Sequence, residues 1–116
     1  MAMPVNSKVK AMPLCGLNSA VLGGGWVIIT AATGLPEACF MLRIVNNSNI
    51  NILVSYDSVI VHDAVRTLEK ADLNFQSNSQ SSGHFALMAK GTKVYIAAEG
   101  QGGGAGFIYL AGYYQI

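Results

Sequence analysis

The chain has 116 residues, long enough for one domain with a core of its own. Hydrophobic residues make up 52% and charged residues only 11%, against roughly 25% charged in ordinary soluble domains. Net charge is +1 with no basic cluster, which excludes an electrostatic nucleic-acid binder and points instead to surfaces covered by other subunits, because interface cores are depleted of charge.

Residues 1–25, MAMPVNSKVKAMPLCGLNSAVLGGG, show no period. They read as an extended N-terminal arm with one or two short strands, a segment suited to docking on a neighbour, with Leu14 and Leu17 as its apolar contacts. Residues 11–36 carry no charge. Pro13, Asn18 and the glycines 23 to 25 interrupt them, so neither a membrane-spanning helix nor a secretory leader is expected. The Asn46-Asn47-Ser48 sequon is accordingly expected to stay unmodified. Cys15 and Cys39 lie in apolar runs and form no C-x-x-C pair; with only His62 and His84 as further soft ligands, buried free thiols are expected and no metal site.

From Trp26 the pattern is strand. WVIITA is a short apolar run bounded by glycines, Thr33-Gly34 and Pro36. In EACFMLRIVNN the residues Phe40, Leu42 and Ile44 share a face, and in INILVSYD the residues Ile50, Ile52, Val54 and Tyr56 do. A hairpin through Asn47-Ser48-Asn49 would pair Asn46 with Ile50, Ile44 with Ile52, Leu42 with Val54 and Phe40 with Tyr56, with Asn49 in the left-handed region. DAVRTLEKAD is the one helix candidate, and a turn or short strand suits it equally. LNF continues as strand, QSNSQSSG is a polar loop, and HFALMAK, KVYIAA and GFIYLAGYY are three further strands, the first two joined by a tight turn at KGTK. Seven or eight short strands with turn signals every 8 to 12 residues predict an all-β fold, an antiparallel sandwich or jelly roll over residues 26–116 behind the arm.

The stretch AAEGQGGGAGF raises the question of a phosphate loop, since GQGGGA fits G-x-G-x-x-A. That fingerprint needs a helix after it, whose N-terminus holds the pyrophosphate. The next residues are instead FIYLAGYYQI, rich in Phe, Ile and Tyr, which read as strand. The stretch is therefore expected to be a hairpin loop between the two last strands, and no cofactor is expected. GFIYLAGYY is apolar on both faces, as in a strand between layers or under a partner. Phe107, Tyr109, Tyr113 and Tyr114, with Trp26, complete the set of candidate interface residues.

Catalytic readings find little support. His62 and Asp63 are adjacent, so an extended segment points them to opposite faces. Ser55 and Ser58 lie in no G-x-S-x-G elbow, and no spacing singles out a carboxylate pair. Asp57, Ser58, His62 and Asp63 are expected to form a polar connection, and the chain is expected not to be an enzyme.

The runs RIVNNSNINILVSYDSVIVHDAV, LNFQSNS and KGTKVYI and the ending GFIYLAGYY resemble small virion structural proteins of tailed bacteriophages. The resemblance covers residues 35 to 116 and departs from the expected pattern at Ser58, where glycine would come after S-Y-D. It implies a β-sandwich homo-oligomer without an active site, located in the virion. Its partners would be the major capsid protein or other virion proteins, and neither nucleic acid nor membrane. Capsid cement or decoration is the leading expectation. A neck, tail or fibre-anchoring component is the alternative, and a glycan-binding sandwich using Trp26 with Tyr113 or Tyr114 is the reading from another class.

Overall fold

Alternation of apolar residues decides which side chains meet in the core, and two sheets face each other across it. The computed structural model describes residues 9–74, 87–100 and 104–115. Among these it places nine strands, β1 (Val9–Ala11), β2 (Cys15–Asn18), β3 (Val27–Ile28), β4 (Met41–Ser48), β5 (Ile52–Ser55), β6 (Asp63–Val65), β7 (Lys70–Asn74), β8 (Tyr95–Ala98) and β9 (Gly106–Gln115). The protein is all-β, as expected, with two antiparallel sheets. The first has the order β1-β9-β4-β7, with β2 also paired to β9; the second has the order β3-β8-β5-β6. The helix candidate DAVRTLEKAD is instead β6, a turn and the start of β7.

Between the sheets lie Leu42 and Ile44 from β4, Ile108 and Leu110 from β9, Ile52 and Val54 from β5, and Ile96 from β8, all at or near zero exposure. Burying side chains of this size contributes roughly 1.5–3 kcal/mol each. Residues 9–18 run antiparallel along β9, with Ala11 opposite Tyr113 and Leu17 opposite Ile108. Met12 and Leu22 enter the common core.

The expected hairpin from β4 to β5 does not form. β4 pairs with β7 and β9, and β5 pairs with β6 and β8, in the opposite sheet. The two strands do share one buried phase, since Leu42 and Ile44 face the same core as Ile52 and Val54. Alternation is satisfied equally by neighbours in one sheet and by strands facing each other across a core. Asn46 does reach Ile50, but through its side chain: Nδ2 donates to the Ile50 carbonyl at 2.8 Å and to the Val65 carbonyl at 3.1 Å. Asn49 is not left-handed; its Oδ1 accepts from the Ala105 N–H at 2.8 Å.

The glycine stretch is not a hairpin loop either. It carries the chain from β8 in the second sheet to β9 in the first. Gly106 opens β9 at φ 110°, where a Cβ would come 2.3 Å from the Asn47 carbonyl oxygen, so glycine is required there. HFALMAK forms no named strand within its described residues; Met88 makes one isolated bridge to Cys39. The turn at KGTK packs against the β3–β4 connection, where a Cβ on Gly34 would lie 2.2 Å from the Gly91 carbonyl oxygen.

Candidate functional site

β9 and β4 run side by side for eight residue pairs, from Met41 opposite Tyr113 to Ser48 opposite Gly106. Inward positions of β9 are Ile108, Leu110 and Gly112, all buried. The outward positions are then Phe107, Tyr109, Ala111 and Tyr113, by strand alternation. On β4 the outward positions are Met41, Arg43, Val45 and Asn47. Register puts Tyr113 beside Met41, Tyr109 beside Val45 and Phe107 beside Asn47. Phe107 and Tyr109 stack at 6.0 Å between ring centroids with 16° between planes. Gly16 of β2, opposite Tyr109, meets that ring without crowding it.

The outcome is a flat, half-exposed aromatic face. Its ion pair is Arg43 with Asp72, at 2.8 Å from Nε to Oδ1, across β4 and β7. That contact raises the Arg43 pKa and lowers that of Asp72, through the hydrogen bond first. Tyrosines offer a large apolar body with a polar tip, and a surface built from them suits a protein contact better than a small-molecule site.

The structure divides the sequence-predicted interface residues. Phe107, Tyr109 and Tyr113 come together on this face. Leu17 and Tyr114 pack against the core instead. Leu14 stands 63% exposed in the β1–β2 connection. Trp26 precedes β3 of the second sheet, while Tyr113 and Tyr114 lie on β9 of the first.

At the end of β5 the polar connection expected from sequence is a compact turn. The Asp57 carboxylate accepts from the backbone N–H groups of Val59 and Ile60, each at 2.9 Å, and from Ser55 Oγ at 2.9 Å. Those backbone donors, Ile60 first, hold its pKa down at about 2. His62 Nδ1 accepts from the Tyr56 N–H at 3.0 Å, and Nε2 lies 4.0 Å from Asp57 Oδ2. Serine, histidine and aspartate thus lie together, yet in the wrong order for nucleophilic catalysis. Ser55 is fully buried and donates to the aspartate, while the histidine nitrogen that could take a proton already faces a backbone N–H. Ser58 sits at φ 63°, the left-handed region in which glycine would be at ease. The glycine expected after S-Y-D would suit this backbone angle, and nothing in the structure explains the serine that stands there instead.

Cys15 is half-buried and Cys39 buried, both as free thiols. Burial pushes both pKa values up, with Glu37 adding to the effect at Cys39. Cys15 lines a pocket of about 180 Å³ with Met12, Pro13, Thr30, Leu35 and Pro36. Among the described residues no group of three or more His, Cys, Asp or Glu is placed to hold a metal ion, and no helix is long and apolar enough to cross a membrane.

Two features escaped the sequence reading. The sequence paired Asn46 with Ile50 across a hairpin, whereas it is fully buried and its side chain joins the two sheets. Its position in phase with Leu42 and Ile44 was the available signal. Val59, Ile60 and Val61 stand out at the tip of the 56–62 turn, 77%, 58% and 49% exposed; an apolar triplet inside a polar connection was the signal there.

No protein-family model matches the chain, and no curated protein matches it. Among solved structures, the serine protease–chaperone complex of Aeromonas sobria aligns with a TM-score of 0.29 and 13% identity, over 91% of this chain and 20% of that one. The chain thus spans about a fifth of the matched chain's length, and a likeness at that level carries no argument about fold or function.

Proposed function

We propose that this chain is a structural protein of a bacteriophage virion, of the capsid cement or decoration type. Its role would be to stabilise the head by bridging major capsid subunits. The observation that carries the reading is the outward face of β9 and β4, where Phe107, Tyr109, Tyr113, Met41 and Val45 form a half-exposed surface with little charge. The mechanism is mechanical. Each bound copy would bury on the order of 1,200 Å² or more against the shell, so that separating the shell subunits would also require breaking those contacts.

The low charge content supports the same reading, since an assembled protein does not depend on its own surface charge for solubility. The test is immunogold labelling of intact particles with copy number from quantitative mass spectrometry. Label over the whole head at hundreds of copies is the expected result. Label confined to the neck or tail at about a dozen copies would replace it with the connector or fibre-anchor alternative. Absence from purified particles would end the virion reading altogether. Within a positive result, Tyr109→Glu should remove the protein from particles while leaving its melting temperature within a few degrees of the parent.

A further inference from the structure

The last rung between β5 and β6 is made by a side chain. The His62 N–H donates to the Val54 carbonyl at 2.8 Å. Two residues further along β5, the Tyr56 N–H donates at 3.0 Å to Nδ1 of the His62 ring. The imidazole thus takes the place that a strand carbonyl would hold. It also lies against the Tyr56 ring, 5.4 Å between centroids and tilted by 35°. β6 has three residues and forms the edge of the second sheet, beside β5.

A ring nitrogen that accepts carries no proton, so the one N–H of the neutral imidazole is at Nε2. That nitrogen points at the Asp57 carboxylate, 4.0 Å from Oδ2. The two carboxylate oxygens are unequally occupied. Among the described residues the donors to Asp57 are the Val59 and Ile60 N–H groups and Ser55 Oγ, and all three fall on Oδ1. Oδ2 therefore keeps its lone pairs for the ring.

The two contacts of the ring answer a second proton in opposite ways. A proton from solvent binds at Nδ1, whose lone pair the Tyr56 N–H already engages. Two N–H groups would then face each other, and the contact turns repulsive. The imidazolium is drawn at the same time to the carboxylate, and a modest rotation brings Nε2 to the roughly 2.7–2.9 Å of a charge-assisted hydrogen bond. Asp57 is ready for it. Backbone donors, Ile60 first, hold its pKa at about 2, so it is ionised throughout the range in which histidines titrate. The other titratable groups beside the ring do not compete. The Tyr56 hydroxyl, pushed up to about 12 chiefly by burial, stays neutral. Asp63 turns its Oδ1 to the Ala64 N–H.

We propose that His62 is a proton-operated latch on the connection between β5 and β6: neutral, it caps the Tyr56 N–H; protonated, it releases that N–H and pairs with Asp57 Oδ2. The tip of the turn stays in place in both states, because the Val59 and Ile60 N–H groups are held by Oδ1. Acid therefore opens the base of the turn and leaves its tip fixed. The latch does not depend on the chain belonging to a virion.

Two-dimensional NMR of the nitrogen-15-labelled full chain, titrated from pH 8 to pH 5, reads both contacts. The Tyr56 amide signal should move with the same midpoint as the His62 ring signals. Its hydrogen-exchange protection, with the intrinsic rate divided out, should fall roughly tenfold across that midpoint, as expected for one lost hydrogen bond. The Val59 and Ile60 amides should keep theirs. Asp57→Asn, which retains an acceptor oxygen, should lower the shared midpoint, and His62→Gln should remove the titration of the Tyr56 amide. A Tyr56 amide indifferent to pH over this range would overturn the proposal. So would one that still titrates in His62→Gln, because another group would then be driving it. A midpoint unmoved by Asp57→Asn would overturn it as well, since the charged ring would then lack the partner assigned to it.

Discussion

Asn46→Ala should be among the most damaging single substitutions in this protein, although it removes only a small polar side chain. Asn46 is fully buried, and its amide spans the two sheets. Nδ2 donates to the carbonyls of Ile50 and Val65, and Oδ1 accepts from the Ser48 N–H at 3.2 Å and from Ser48 Oγ. After the substitution the Ile50 carbonyl keeps a donor, because Ser48 Oγ already lies 3.2 Å from it. The Val65 carbonyl and the Ser48 N–H lose this partner, and water has no ready path to replace it.

Each buried group left unsatisfied costs about 1–3 kcal/mol, and the vacated volume adds a further packing loss. The expected destabilisation is about 3–5 kcal/mol, a large share of the roughly 5–15 kcal/mol that holds a domain of this kind together. Trp26 is the single tryptophan, so urea denaturation monitored by its fluorescence reads the loss as a lower midpoint at unchanged slope. Asn46→Asp provides the discriminating control. It keeps the shape and the acceptor but turns the two donor contacts into oxygen facing oxygen, so it should be worse than alanine at neutral pH and partly relieved in acid. An Asn46→Ala variant within 1 kcal/mol of the parent would refute the account of this residue as the link between sheets.

Backbone conformation and charge give three further expected outcomes. Leu68 lies at φ 62° and is 76% exposed. Leu68→Gly should therefore stabilise by about 1 kcal/mol, because the left-handed penalty of roughly 1–2 kcal/mol exceeds the entropic cost of glycine; thermal melting reads it. Gly106→Ala should lower the melting temperature strongly, since its Cβ would meet the Asn47 carbonyl at 2.3 Å, and a melt unchanged within 2 °C, well below the 4–8 °C that about 1 kcal/mol moves a domain of this size, would contradict the close approach of β9 to β4. Asp57 has a folded pKa of about 2, below its ordinary 3.8, chiefly through the Ile60 and Val59 N–H groups. A depressed carboxylate pKa adds stability above the unfolded value and loses it as pH falls through the folded one. Acid titration from pH 4 to 2 should therefore lose stability in the parent, and Asp57→Asn should flatten that limb.

The all-β class, the strands β4, β5, β8 and β9 and the buried phase of β4 and β5 were legible because period-2 alternation and β-branched content are local signals. Pairing was not, because it is a non-local property. Ile44 and Ile52 belong to one core whether their strands are neighbours or face each other, so the alternation that revealed both strands suggested a hairpin where the chain in fact changes sheets. The glycine stretch misled in the same way, as a short glycine-rich link serves a hairpin and a sheet crossing equally well. Phe107, Tyr109 and Tyr113 could be picked out because β9 is apolar in both phases. Leu17 and Tyr114 could not be separated from them, because the sequence does not say which phase of a doubly apolar strand faces inward. That choice is made by partners far along the chain, Leu42 and Ile44 among them.

The unusual composition acquires a physical explanation once the two ends are compared. Asparagine replaces charge at the Ser48–Gly106 end, where side-chain amides satisfy the backbone groups that sheet-changing connections leave over, Ile50, Val65, Ala105 and Thr67 among them. An amide does this without the desolvation cost that a carboxylate or ammonium would incur at the same burial. At the opposite end the Asp57 carboxylate and Ser55 Oγ close the 56–62 turn, yet Leu14, Val59, Ile60 and Val61 remain in water. Lys90 and Lys93 stand exposed in the turn before β8 at the same end, so that end carries both charge and apolar groups. The aromatic face on the first sheet is the arrangement that the proposed role requires of a surface covered by a partner. Tyr109→Glu tests that statement: it should remove the protein from particles while the melting temperature stays within a few degrees of the parent, and retention of the variant in particles would refute the role given to this face.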